Sequence, residues 1–562
     1  MNDNALWIIL QRLRTPLLVL LVSYAISILG LVLIPGMDDK GEVYQMSFFD
    51  AFYFISYTAS TIGFGETPYA FTYEQRLWVI VCIYLTVLGW FYAIGSLVSI
   101  ISDKKLRLEI MRGRFKTRIE TIKGEFIIVL GYNYVNAKII QKLLHADLNV
   151  VLVDAKEDKI NEFLLEDYSK SVPVMVGNAL TTHMLIDAGI KKKTCITVIA
   201  TFYKEEKNLR IAILTKFLNP KAEVIAKSTF NEISTSISDT DIVHRENPFE
   251  IFGKRFDIAL TSPHVLILEN WIYHNADLSD NTIYLPKGKY IICGYGRLGR
   301  VLKEQLDKHE MEYVFIDEAK IAKRDMKEPK SLLRANADDK EVLLSAGIKE
   351  AVCLVSGTQS DIDNLSILIT AKKLNPDLYL IARENTMEEV SIFEAAKINW
   401  IIMLERILIN KTSLQLIDPL KHSFLKMILN QNELWASTLV NLLKNQLGAN
   451  PILIALSISE KSAYAIYHEI QLGKNIPIEV LLTSLKDRSN KHKAIILLLK
   501  RQGKEILLPQ NEFLKLGDEI LFACDQEAKE EIELIASNLY DLCYAYLGEE
   551  KKNWLFKKIF SS

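Results

Sequence analysis

The stretch Thr58-Ala59-Ser60-Thr61-Ile62-Gly63-Phe64-Gly65-Glu66 alternates glycine with bulky side chains. It lies between an aromatic-rich run, Phe48 to Tyr57, and a hydrophobic span, Leu77 to Ile101. Gly63 and Gly65 can take positive φ at little steric cost. A strand whose residues alternate in hand turns its carbonyls to one side, whereas an ordinary β-strand alternates them. Such a column of oxygens can replace the water shell of a dehydrated cation.

A second constellation stands far downstream. Gly294-x-Gly296-x-x-Gly299, with Arg297 and Leu298 inside it, follows the apolar run Tyr290-Ile291-Ile292-Cys293 and opens a helical stretch. Asp317 ends the next apolar run about 20 residues later, the spacing of a dinucleotide-binding βαβ unit. The glycines allow a tight turn and let a pyrophosphate approach the backbone, while the helix N-terminus supplies free N–H groups. Asp317 would accept from ribose hydroxyls, which speaks against a 2′-phosphate and for NAD(H) or an adenine nucleotide.

That loop belongs to a duplicated unit. Ile127-Ile128-Val129-Leu130-Gly131-Tyr132 returns as Tyr290-Ile291-Ile292-Cys293-Gly294-Tyr295, and Val151-Leu152-Val153-Asp154 as Val314-Phe315-Ile316-Asp317. Asn178-Ala179 returns as Asn336-Ala337, Ala188-Gly189-Ile190-Lys191 as Ala346-Gly347-Ile348-Lys349, and Leu218-Asn219-Pro220 as Leu374-Asn375-Pro376. The offset drifts from 163 to 158 to 156, as small loop deletions would make it. Short apolar runs alternating with helical stretches predict βαβ units around a parallel sheet in each copy. The first copy, Gly131-Tyr132-Asn133-Tyr134-Val135-Asn136, keeps one glycine and Asp154 but loses the other two glycines. Gly131, Asn133 and Asp154 therefore form the weaker nucleotide set, and the first copy is expected to be structural or to bind differently.

The first constellation needs a membrane around it. Leu17 to Ile34 is about 18 uncharged residues, about 27 Å of helix, enough to cross a hydrocarbon core. Leu77 to Ile101 runs for about 25, longer than a soluble helix would go without a charge. Arg12 and Arg14 precede the first span, and Lys104, Lys105, Arg107, Arg112, Arg114, Lys116 and Arg118 follow the second, which predicts two cytoplasmic ends. Phe48 to Ala59 is too short to cross and is expected to be a re-entrant helix whose C-terminus points at the cation path. Gly89 and Gly95 serve either close helix packing or a gating hinge; Ala93 and Leu97, one turn apart, are placed at the inner mouth.

Composition agrees with a small membrane part carrying a large soluble one: 562 residues, 49% hydrophobic, with a mean hydropathy of +0.12. A net charge of −2 from 67 basic and 69 acidic residues speaks against a nucleic-acid partner. The six scattered cysteines read as buried thiols, not as a disulfide frame or metal ligands.

Thr61-Ile62-Gly63-Phe64-Gly65 resembles the selectivity filter of potassium channels, usually Thr-Val-Gly-Tyr-Gly. Phe64 replaces a tyrosine whose hydroxyl in that family usually bonds to the pore helix, and Glu66 stands where Asp is commoner. The repeats resemble RCK domains of the TrkA-N type over most of residues 125 to 410, including Asn208-Leu209, Asp363-Asn364-Leu365 and Ile381-Ala382-Arg383. Arg383 falls where members often hold a basic residue near the phosphates, and Asp338, next to the repeated Asn336-Ala337, joins the same set. Leu507-Leu508-Pro509, Phe513 and Leu516-Gly517-Asp518-Glu519-Ile520-Leu521-Phe522 resemble the TrkA-C module.

The resemblance implies an α-helical two-transmembrane tetrameric ion-channel pore, tandem α/β Rossmann-like RCK domains and an α+β TrkA-C module. It further implies a ligand-gated potassium channel, not an enzyme, working as a homotetramer in the bilayer of a prokaryotic cytoplasmic membrane. K+ would be the permeant ion and NAD(H) or an adenine nucleotide the regulator, with Ca2+ a further ion to test. The acidic strand ends of calcium-gated members are here Thr201, Lys227, Ser228 and Thr229, so no metal site is assigned. The alternatives are a non-selective cation channel on the same scaffold and a membrane-tethered NAD-dependent enzyme.

The expected division is a cytoplasmic N-terminus (1–16), a pore domain (17–104) and a linker (105–124), followed by two RCK copies with their helical crossovers (125–285 and 286–475) and a TrkA-C-like module (476–562). Within the pore domain the spans are 17–35 and 77–102, the pore helix 48–59 and the filter 60–66. Helical connections, Asn247 to Asn275 and Asn410 to Leu447, would pair the RCK copies.

Overall fold

The computed structural model describes residues 3–228, 243–280, 283–318, 329–385 and 390–548, so Thr229 lies outside the described residues. Helix α1 (Asp3–Leu33) runs through Pro16 and begins well before the apolar stretch. A two-residue antiparallel ladder, β1 (Gly36–Met37) and β2 (Val43–Tyr44), leads to α2 (Phe48–Ala59). Ser47 caps α2 by accepting from the Asp50 N–H, and Thr72 with Gln75 forms a capping box at the start of α3 (Tyr73–Ile101). The stretches Leu10–Leu33 and Tyr73–Ile100 are long and apolar enough to cross a membrane. Ile28 and Leu31 of α1, Ala51, Phe54, Ile55 and Tyr57 of α2, and Cys82 of α3 share one core with Phe71.

Gly89 is buried against α1, where an added Cβ would stand 3.1 Å from Ser23 Oγ, and α3 continues unbroken through it. That placement favours the packing role of Gly89 over the hinge. Leu97 is about half exposed in the single chain. The linker, expected only as a connection, is itself helical: α4 spans Lys104–Glu120.

The first repeat runs β3 (Phe126–Leu130), α5 (Tyr134–His145), β4 (Asn149–Asp154), α6 (Glu157–Leu165), β5 (Val174–Val176), α7 (Thr182–Asp187), β6 (Cys195–Ala200), α8 (Glu205–Leu218), β7 (Glu223–Lys227) and β8 (Val243–Glu246). Helices α9 (Pro248–Thr261) and α10 (Pro263–Ile272) follow. The second repeat runs β9 (Tyr290–Cys293), α11 (Arg297–Lys308), β10 (Tyr313–Ile316), β11 (Leu332–Leu333), α12 (Lys340–Ser345), β12 (Cys353–Ser356), α13 (Asp361–Leu374), β13 (Tyr379–Glu384), α14 (Val390–Ala395) and β14 (Trp400–Met403). Both sheets have six strands, ordered β5-β4-β3-β6-β7-β8 and β11-β10-β9-β12-β13-β14. This is the doubly wound order 3-2-1-4-5-6, whose switch point lies beside the first strand, where the glycine loops stand. Strands buried on both faces explain the unbroken apolar runs.

Helices α15 (Leu404–Ile417), α16 (Pro419–Ile428) and α17 (Glu433–Leu447) close the second repeat. The crossover helices are exchanged: α9 packs on α11 of the second copy, and α15 packs on α5 of the first. The C-terminal module is a four-stranded antiparallel sheet, order β15 (Ile452–Ser457), β18 (Glu519–Cys524), β16 (Ala494–Arg501), β17 (Lys504–Leu507). Helix α18 (Tyr464–Gln471) precedes β16, and α19 (Gln526–Ser537) and α20 (Leu539–Leu547) follow β18. Because Ile452 to Ser457 pairs with Glu519 to Cys524, the expected boundary at 475/476 is too late. The module begins where Gly448, at φ 93, ends α17.

Candidate functional sites in the pore loop and the second repeat

Helix α2 ends in a Schellman turn. The Thr61 N–H donates to the Thr58 carbonyl at 3.0 Å and the Ile62 N–H to the Tyr57 carbonyl at 2.9 Å. Thr61 occupies the left-handed position usually given to glycine, at φ 62, a strained place for a β-branched residue. Gly63 follows at φ 66 and Gly65 at φ 103, so every second residue is left-handed. The Gly63 N–H also reaches the Tyr57 carbonyl, at 3.4 Å. Two successive N–H groups thus turn toward α2, which an ordinary strand cannot do.

The Gly65 carbonyl departs from the expected column. It is turned back to α2, where the Tyr57 hydroxyl donates to it and lies 3.0 Å from Thr67 Oγ1. Tyr57 also meets the Phe64 ring edge-on, at 5.4 Å. Where the sequence lacks a tyrosine hydroxyl at position 64, α2 supplies one. Glu66 is fixed to α3 by Arg76, whose Nε lies 2.9 Å from Oε1, and accepts from the Phe71 N–H at 2.8 Å.

In the second repeat the glycines do different work. Gly294 needs its φ of 103 to leave β9. A Cβ on Gly299 would lie 2.4 Å from the Gly294 carbonyl oxygen, so helix and strand approach only because it is absent. Gly296 has nothing within 4 Å of an added Cβ and caps α11 without a side-chain bond to the first-turn N–H groups. That open cradle at a helix N-terminus fits a pyrophosphate. Asp317, just past β10, accepts from the Tyr295 N–H at 2.6 Å and so sits at the loop. Leu298 is buried in the core beneath the loop, so its side chain holds the loop and is no contact. Asp338 is exposed and accepts from the Ser366 hydroxyl of α13.

The first repeat fills the same space with side chains. Asn133 caps α5 by accepting from the Asn136 N–H at 2.9 Å. The fully buried Asn136 amide donates to the Leu130 and Gly131 carbonyls, at 3.3 and 2.6 Å, and accepts from the Thr201 hydroxyl at 2.8 Å. Phe202 covers Gly131, 2.8 Å from where a Cβ would stand. Asp154 accepts from the Lys156 N–H at 2.7 Å. This loop does not fit a pyrophosphate, and Thr201 is committed to the asparagine network.

Arg297 and Arg383 converge on the ring of Phe249, 4.7 and 5.7 Å from its centroid, in a cavity of about 160 Å³ between β7, α9, α15 and the second copy. Lys227 and Glu405 complete its lining. Burial pushes the Arg383 and Lys227 pKa values down, and nearby Arg297 adds to both; burial pushes Glu405 up. Lys227 and Arg383 are equivalent by the repeat, and both strand ends line this cavity. Among the described residues no group of three or more His, Cys, Asp or Glu is arranged to hold a metal.

Residues 16–103 match the family described as ion channel, and residues 127–243 and 290–404 each match the TrkA-N domain. Potassium channel protein 1 of Methanocaldococcus jannaschii is 38% identical over 97 residues, 17% of this chain and 29% of that protein. Probable potassium channel protein 2 of the same organism is 34% identical over 126 residues, 22% and 37% of the two chains. The matched stretches thus span well under half of these relatives. Among solved structures, the GsuK channel bound to NAD is 14% identical, with a TM-score of 0.48 over 94% of this chain and 99% of that one. The chain therefore carries, in tandem, one match to the ion channel family at residues 16–103 and two matches to the TrkA-N domain at residues 127–243 and 290–404.

Proposed function

We propose that the protein is a potassium channel opened or closed by a nucleotide bound to its second TrkA-N domain. The observation that carries this reading is the left-handed alternation at Thr61, Gly63 and Gly65, hung from the C-terminus of a short helix between two apolar spans. One filter strand per chain makes a ring only with further copies, so the working unit is a homotetramer. Exposed apolar side chains on α8 (Ile213, Phe217) and α13 (Ile362, Ile369) support association of the soluble part as well. The basic residues flanking the spans support two cytoplasmic ends in a prokaryotic cytoplasmic membrane.

Gly294, Gly296, Gly299 and Asp317 would hold a nucleotide such as NAD(H) or ADP, with the α11 N-terminus facing its phosphates. Binding shifts the gate only through different affinities for closed and open forms. Moving the balance from 1:99 to 99:1 needs roughly 10⁴-fold, about 5.5 kcal/mol, or about 1.4 kcal/mol for each of four sites.

The test is purified protein in a planar bilayer with potassium on one side and sodium on the other, titrated from the cytosolic face with NAD, ADP and calcium. A reversal potential near the potassium value and an open probability that changes with nucleotide are expected. Equal permeability to both ions would leave a non-selective cation channel. In the same assay Tyr57→Phe removes the hydroxyl that holds the Gly65 carbonyl. At about 0.5–1.5 kcal/mol per bond and chain, it should shift the reversal potential toward sodium while nucleotide sensitivity is kept.

A further inference from the structure

Helix α4 is held to the first TrkA-N copy by a small set of charges. Arg112 and Lys116 stand one turn apart on one face. Both reach Asp187 at the end of α7, whose side chain is only 5% exposed: Lys116 Nζ lies 2.7 Å from Oδ1, and Arg112 Nε donates to Oδ2. Phe115 and Ile119, from the same helix, are buried. Ile119 approaches Gly189 so closely that a Cβ there would lie 2.7 Å from its methyl carbon. Lys192 Nζ donates to the Ile119 carbonyl at 2.7 Å, a cation at a helix C-terminus.

The internal repeat provides a control. In the aligned segment of the second copy, Asp187 is replaced by Ser345 and Lys192 by Glu350. Ser345 only returns its hydroxyl to the Val342 carbonyl of its own helix. The repeat therefore folds without either charge, and only the copy that follows the linker carries them. Above α4 the chain has little slack: Ser102 and Asp103 alone separate it from α3, at most about 7 Å of extended backbone. Asp103 is also paired with Arg12 of α1.

We infer that Asp187 and Lys192 are the coupling residues of the channel, clamping α4 so that a shape change in the first TrkA-N copy reaches α3 as displacement of a docked helix. This rests on the proposed channel reading for its functional half and on geometry alone for its structural half. The two acceptor sites of one carboxylate take two cations from consecutive turns, so the clamp fixes both the rotation and the height of α4 against α7. Lys192, from the next loop, fixes its end.

The experiment compares full-length wild type with Asp187→Ser and Lys192→Glu, which install what the second copy already tolerates. Three quantities are read: nucleotide affinity for NAD and ADP, the nucleotide-dependent change in open probability, and amide exchange over residues 104–120. The expected result is affinity within twofold of wild type, a response reduced at least tenfold, and faster exchange confined to α4. A residue serving only the stability of the repeat would instead speed exchange throughout the first copy, not over α4 alone. Asp187→Lys combined with Arg112→Glu and Lys116→Glu should restore the response. Wild-type gating together with unchanged exchange over 104–120 in Asp187→Ser would overturn the inference. Wild-type protein that passes no current would instead remove the channel reading, while the exchange measurement still decides whether Asp187 docks the helix.

Discussion

Gly63→Ala is expected to abolish potassium current while the protein still assembles and binds nucleotide. Gly63 sits at φ 66, and an added methyl would meet nothing within 4 Å in the chain, so the cost is conformational, not steric crowding. An L-residue held in the left-handed region costs about 1–2 kcal/mol. In the proposed homotetramer, four copies around one axis make that about 4–8 kcal/mol against the conducting form, a loss of roughly 10³-fold or more at 1.4 kcal/mol per decade. Gly41 is the matching control, because it has φ 81 and equally open surroundings but lies in the loop between β1 and β2. Gly41→Ala should lower stability by a similar amount per chain and leave current intact. Normal conductance in Gly63→Ala would mean that the alternation of hand at 61, 63 and 65 is not what ions pass.

Much of this arrangement can be read in advance because it depends on residues with few substitutes. Glycines at 63, 65, 294 and 299 mark backbone states or approaches that other residues resist, and those needs are local. The strand order of both sheets follows from self-similarity, since the second copy repeats the first. What stayed hidden depends on pairing across distance. Tyr57 lies on α2, and only the turn of that helix end brings its hydroxyl to Gly65. Ile452 to Ser457 falls within the second repeat's expected range, 286–475, until its partner strand at Glu519 to Cys524 is known.

Two other surprises concern what replaces a missing feature. The loss of two glycines in the first copy was visible, but not that Asn136 would turn inward and bond the very carbonyls a tight turn exposes. Phe249, where Arg297 and Arg383 meet, comes from the crossover helix of the other copy, and no spacing within the glycine loop points to it. The linker carries a basic run that reads as a membrane flank, and Arg112 and Lys116 serve Asp187 as well.

Gly296→Asp and Gly299→Ala should separate binding from folding within a single loop. At Gly296 φ is −81 and a side chain has open space, so aspartate is tolerated by the backbone. A carboxylate at a helix N-terminus is itself favourable by about 0.3–1 kcal/mol, so the melting temperature of the ligand-free protein should hold or rise slightly. The same carboxylate occupies the cradle and repels a pyrophosphate, and affinity for NAD and ADP should fall by at least 100-fold. Gly299→Ala behaves oppositely in the absence of ligand. Its Cβ would be forced to within 2.4 Å of the Gly294 carbonyl oxygen, a backbone atom that cannot swing aside, so α11 must shift from β9. Overpacking of that kind typically costs about 1–3 kcal/mol, which should appear as a lower melting temperature with or without nucleotide. Wild type should gain about 2.7 kcal/mol at a ligand concentration 100 times its dissociation constant, whereas Gly296→Asp should gain no more than about 0.4 kcal/mol. A ligand-induced rise in melting temperature that survives in Gly296→Asp would place the nucleotide elsewhere than at the N-terminus of α11.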